Sequence, residues 1–115
     1  MALFRIFLIA AFLAIGTYTM IAVGSHGWNL VPIFFGDIAA MNWPGQFNTD
    51  FFTFLLLSGI WIAWRNEFTP AALGLALVGV FGGMLFLSAY LLFLTYQTGG
   101  NIKAIMLGEK RARNG

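Results

Sequence analysis

Ala71–Tyr96 reads AALGLALVGVFGGMLFLSAYLLFLTY, twenty-six residues without a charged side chain. At a helical rise of about 1.5 Å per residue, some 20 apolar residues cross the roughly 30 Å hydrocarbon layer of a bilayer. This stretch is therefore long enough to span a membrane. Thr69-Pro70 precedes it as an N-cap with proline at the first helical position, and Gly99-Gly100 ends it.

Two further apolar blocks lie upstream. Leu3–Val23 is interrupted only by Arg5, whose long side chain can reach back to the interface. A cleaved signal peptide is the rival reading for this block. Its apolar run exceeds the usual core of about 7–15 residues, so it is read as an uncleaved first span. The second block starts near Asn48, where Asn48, Thr49 and Asp50 offer capping side chains and a negative charge to a helix N-terminus. It runs through Phe51–Trp64 to Arg65, with Trp61 and Trp64 marking an interface. A span of about 17 residues should stand upright or thin the bilayer. The expected fold is a single all-α transmembrane domain, with spans at about 3–23, 48–64 and 71–96.

Composition agrees. Of the 115 residues 60% are hydrophobic and 9% charged, against about 25% charged in soluble domains. The apolar residues form uninterrupted blocks rather than amphipathic periods. The absence of cysteine excludes disulfides, thiolate metal sites and thiol catalysis. Arg5 and Arg65 stand alone, while Lys103, Lys110, Arg111 and Arg113 form a basic tail over 101–115. Such a tail fits a membrane flank near anionic lipid rather than a nucleic-acid groove. Three alternating spans would put the tail opposite the N-terminus. The positive-inside rule then orients the chain N-out and C-in, in a bacterial inner membrane.

Between the first two spans, residues 28–45 carry Pro32, Pro44, Gly36 and Gly45 with Trp28 and Trp43 at the ends. The segment is too broken for a span and too apolar for a solvated loop, so an interfacial or re-entrant helix is expected.

Polar side chains cluster around this connection. With alternating spans, His26, Asp37, Gln46 and Asp50 would share a membrane face with Lys103 at the end of span three. Asp50 is the leading candidate, because acids in apolar spans are costly and often functional. At a first helical turn, however, the dipole also stabilises a carboxylate. A pairing of Asp50 with Lys103 or His26 is expected on this layout. His26, the only histidine, offers either an axial ligand to a haem or pigment metal or a headgroup-zone side chain. One histidine cannot ligate a haem from both sides, which favours the second role. Ala72, Ala76, Gly79 and Gly83 form a small-residue stripe suited to close helix packing, against another subunit or within the chain. Ala10 and Ala14 on span one offer a matching small face.

The residues Asn42-Trp43-Pro44, Asp50, Phe54, Trp61, Arg65 and Glu67, followed by a glycine-rich span with Ser88 and Tyr90, resemble small three- to four-span membrane-protein families of bacteria and plants, of uncharacterised function. The likeness covers residues 28–97. It implies the three-span fold and no activity.

Two functions follow as expectations. The first is a non-enzymatic accessory subunit of a larger membrane complex, respiratory or photosynthetic. The second is a homo-oligomeric carrier or channel for a small solute or ion, with Asp50 and Asp37 along its path. Partners would be the bilayer and other membrane subunits or further copies.

Overall fold

A computed structural model describes residues 1–114, and for Asn114 the backbone alone. The chain is all helical: α1 (Ala2–His26), α2 (Leu30–Ala39), α3 (Trp43–Arg65), α4 (Pro70–Gln97), α5 (Ile102–Leu107) and α6 (Glu109–Asn114). Helices α1, α3 and α4 are each long and apolar enough to cross a membrane. The protein is thus an integral membrane protein by the length and composition of these helices.

Helix α3 begins earlier than its sequence suggests. The Asn42 side chain accepts a hydrogen bond from the Gly45 amide at 2.9 Å, and Pro44 occupies the first turn, where a missing N–H costs nothing. Asn48 and Thr49, expected as caps, do other work. The Asn48 amide donates to the Phe34 carbonyl at 3.1 Å, and the Thr49 hydroxyl donates to the Gly45 carbonyl. The helix has 23 residues, about 34 Å, so no thinning of the bilayer is required. Asp50 consequently lies two turns inside it.

Helix α2 packs on this first part of α3. Asn48 and Phe52 lie opposite Phe34, and Gly45 lies opposite Asp37 and Ile38, so the two segments run antiparallel.

Helix α4 does not continue straight. Gly83 has φ 59° and ψ −145°, a backbone conformation essentially restricted to glycine, and it divides α4 into half-helices α4a (70–82) and α4b (84–97). A straight helix would carry Tyr90 about 30 Å from Pro70. Instead the Tyr90 hydroxyl accepts a hydrogen bond at 2.9 Å from Asn66, four residues before Pro70. The half-helices fold against each other where Gly79 and Gly82 meet the Phe86 side chain. Gly83 itself lies against Phe51 and Leu55, roughly half-way along α3. The third apolar helix is therefore a hairpin that enters from the Arg65 end and returns to it.

That reversal sets the packing. Helix α4a runs antiparallel to α3, with Gly59 against Ala76 and Val80 and Gly79 against Ile62. Helix α4b sits between α3 and α1, parallel to the first and antiparallel to the second. Arg5 meets Thr95, and Gly16 meets Leu85. Leu8, Ile62, Ala63, Ala72 and Leu94 form the buried core, with Ser88 and Thr95 fully buried among them. Each of those hydroxyls donates to the carbonyl three residues earlier, so neither is left unpaired.

The N-terminus and the C-terminal segment consequently share one end of the bundle, with Met1 packed beside Gly100. This corrects the expectation that the tail lies opposite the N-terminus, which assumed that α4 runs straight through. An alanine at Gly83 should cost about 1–3 kcal/mol, because its Cβ disfavours this φ and approaches the Phe51 ring at 3.3 Å. Gly24→Ala, in an open helical position, should be neutral or gain up to about 1 kcal/mol. Thermal unfolding of both variants in detergent compares them.

Candidate functional site

The reversal of α4 segregates charge. All six lysines and arginines lie at the end shared by Arg65, Thr95 and the α5–α6 segment, with Glu67 and Glu109 as the only acids there. The opposite half holds Asp37 and Asp50 and no basic residue apart from His26. This gives a net +4 at one end and −2 at the other, which account for the overall +2.

Arg65 organises the basic end. It is only 8% exposed, and its guanidinium is an acceptor-seeking fork in a place with few acceptors. Helix α5 supplies them. The Nε donates to the Ile105 carbonyl at 2.5 Å and Nη2 to the Ala104 carbonyl at 3.1 Å, while Nη1 reaches the Asn66 side chain at 3.2 Å. Carbonyls near a helix C-terminus carry partial negative charge, so a cation there serves as a cap, here beside the Gly108 amide that also donates to the Ala104 carbonyl at 2.9 Å. Gly108, with φ 87°, ends α5 beside the Arg65 carbonyl, where a side chain would have no room. The Trp61 indole donates to the Met106 carbonyl at 3.0 Å, and Arg111 donates to the Trp64 carbonyl and stacks 4.2 Å over its ring. Arg5 anchors α1 in the same way. It donates to the Thr95 hydroxyl at 3.0 Å and carbonyl at 2.9 Å, with its guanidinium 4.1 Å over the Tyr96 ring.

Three cations at this end have no such engagement. Lys103, Lys110 and Arg113 are exposed and form no ion pair among the described residues. Two shallow polar hollows of about 320 and 270 Å³ lie around them, lined in part by Asn66, Gln97 and Glu109.

Beside the basic end an apolar groove of about 460 Å³ opens between α3 and α4b. Phe51, Phe54 and Trp61 line it from α3, Met84, Leu87 and Leu91 from α4b, and Met106 from α5. Its upper limit is the hairpin turn at Gly83.

The residues singled out from sequence fall differently. Asp50 and Lys103 do not meet. Arg65 holds the carbonyl next to Lys103, whereas Asp50 is 15 residues earlier on α3, about 22 Å away. The expectation of a shared face fails because α4b returns its polar C-terminal end to the Arg65 side. Asp50 and Gln46 are exposed on α3, and the Asp50 carboxylate makes no hydrogen bond among the described residues. Asp37 is half-buried, with its backbone against Gly45, and His26 is exposed at the end of α1. Among the described residues no three of His, Cys, Asp and Glu come together. Ala72, Gly79 and Gly83 are buried and Ala76 half-buried, against α3 and α4b of the same chain, while Ala10 and Ala14 stay exposed.

Sequence reasoning did not find Arg65. Its only signal is a lone arginine between Trp64 and a tight turn, which also fits a snorkelling interface residue. No protein-family model, curated protein or solved structure matches the chain.

Removing the Arg65 fork should release α5 and the tail. Hydrogen bonds to charged groups are worth about 1.5–3 kcal/mol each, so Arg65→Ala should speed tryptic cleavage at Lys103 at least about tenfold. Arg65→Lys keeps the charge without the fork, and should restore only part of the protection.

Proposed function

We propose that this chain is a non-enzymatic accessory subunit of a larger membrane assembly, with both termini on the cytoplasmic side. The observation that carries the reading is the half-depth of the α4 hairpin. The hairpin fills the space between α1 and α3 only as far as Gly83. Beyond it α1 and α3 barely touch, and α1 presents Tyr18, Met20 and Ile21 at 77%, 71% and 64% exposure.

Non-helical backbone at membrane depth is tolerated where protein buries it or where it lines a water-filled cavity. The Gly83 turn is buried against Phe51 and Leu55 of α3, and no α1 side chain is among its nearest neighbours. Those two side chains are apolar and offer the turn no hydrogen bond. A helix from a partner subunit, seated in the cleft between α1 and α3 beyond the turn, fills the space the hairpin leaves. The small-residue stripe of α4, Ala76, Gly79 and Gly83, is used within the chain, which leaves the exposed face of α1 for docking.

Orientation follows from the charge segregation. With all six cations at one end, the positive-inside rule places that end, and therefore both termini, in the cytoplasm. In a bacterial inner membrane, the setting expected from the sequence, reporter fusions read this directly. A fluorescent protein fused after Gly115 or before Met1 should fluoresce, and periplasmic phosphatase fused at either place should be inactive.

A photo-crosslinking residue in place of Met20 tests the partner. In native membranes it should yield an adduct with a different chain. An adduct at twice the 12.7 kDa mass would instead support the homo-oligomeric carrier, and the lack of any protein adduct overturns the accessory role.

A further inference from the structure

The groove between α3 and α4b lies on a different face of the hairpin from α1, and its occupant is a question separate from the partner in the cleft. We propose that it holds one acyl chain of an anionic phospholipid drawn from the leaflet at the basic end.

Length is the first argument. Along α3 the groove runs from Phe51 to Trp61, ten residues or about 15 Å. Half of a hydrocarbon core of roughly 30 Å is the depth of one leaflet. The groove is bounded above by the Gly83 turn and Met84, and below by Met106, which the Trp61 indole holds in place. A spanning helix would run past Gly83 and be seated over only half its length. An acyl chain from one leaflet ends where the groove ends.

Chemistry is the second. The wall consists of aromatic and aliphatic side chains with Ser58 as its one hydroxyl residue, and that hydroxyl is turned onto the Leu55 carbonyl at 2.8 Å. Nothing in the wall asks for a polar ligand. The groove has a volume of about 460 Å³ and is open along one side.

Charge is the third, and it selects the headgroup. The groove lies beside the end that carries net +4. Arg5, Arg65 and Arg111 are already bonded to carbonyls, which leaves Lys103, Lys110 and Arg113 exposed and unpaired among the described residues. Basic residues beside the hydrocarbon edge attract anionic lipid, and Trp61 and Trp64 fix the level of that edge on α3. A phosphatidylglycerol-type headgroup satisfies these cations, whereas a zwitterionic one does so only weakly.

The test uses the full chain in phosphatidylcholine vesicles doped with brominated phosphatidylglycerol or, separately, brominated phosphatidylcholine. The quantity read is the tryptophan quenching that disappears in Trp61→Phe. The anionic lipid should quench more at equal mole fraction. Lys110→Ala should lose about fivefold of that preference, the effect of one surface cation beside anionic lipid. Ser58→Phe, which fills the groove, should abolish it. Native mass spectrometry of the unsubstituted protein is the second measurement, and should retain one phosphatidylglycerol per chain in preference to phosphatidylcholine. Equal quenching by the two lipids, or a preference unchanged in Ser58→Phe, overturns the proposal. So does disulfide capture of a second copy through Phe54→Cys, which would place protein in the groove.

Discussion

A helix of 28 residues that is apolar throughout has enough length to cross a bilayer, and in this protein one residue prevents it from doing so. Gly83 takes a positive φ, the two halves of α4 fold together, and the polar end of the helix returns to the side from which it started. Closing such a turn needs a residue with no Cβ at the bend and small residues where the halves approach, which Gly79 and Gly82 supply. Everything at the basic end depends on this turn. Without it Tyr90 could not reach Asn66, Thr95 could not receive Arg5, and α5 could not lie across Arg65.

Two arginines then hold the returned end in place by the same means. Arg5 and Arg65 each direct a guanidinium at backbone carbonyls near a helix C-terminus, where the Thr95 and Ala104 oxygens also accept the Gly100 and Gly108 amides. The pairing serves both sides, since a guanidinium needs acceptors and the partial negative charge at a helix C-terminus favours a cation. Tyr96 under Arg5, and Trp64 under a third arginine, Arg111, add contacts of the cation–π type. The N-terminal helix, the hairpin and the tail are thereby tied at one level. The other half of the bundle, with α2 packed on the start of α3, has no comparable set of ties to α1 among the described residues.

The same geometry explains why the polar residues do not converge. Asp37, Asp50 and His26 remain in the half of the molecule that the hairpin never reaches, while Lys103 and the other cations gather at the half it returns to. Charge is sorted along the bundle axis rather than collected in a pocket. Function is accordingly sought at surfaces, in the cleft above Gly83 and in the apolar groove beside the basic end.

Local rules determined much of this from the sequence. Apolar block lengths mark three helices long enough to span, and Thr69-Pro70 starts α4 where the capping rule places it. The helical segment between the first two spans was legible in its prolines, glycines and tryptophans. The start of α3 differs from the sequence reading, which takes Asn48, Thr49 and Asp50 as caps, because the Asn42 side chain accepts the Gly45 amide six residues before Asn48. The course of α4 was beyond local reading. Glycines at 79, 82 and 83 are compatible with a straight helix that packs closely as well as with one that folds back. Only the tertiary structure decides, because the bend is stable where Phe51 and Leu55 receive the turn and where Arg5, Arg65 and Asn66 receive what returns. Topology, charge segregation and the position of both candidate surfaces all follow from that one long-range choice.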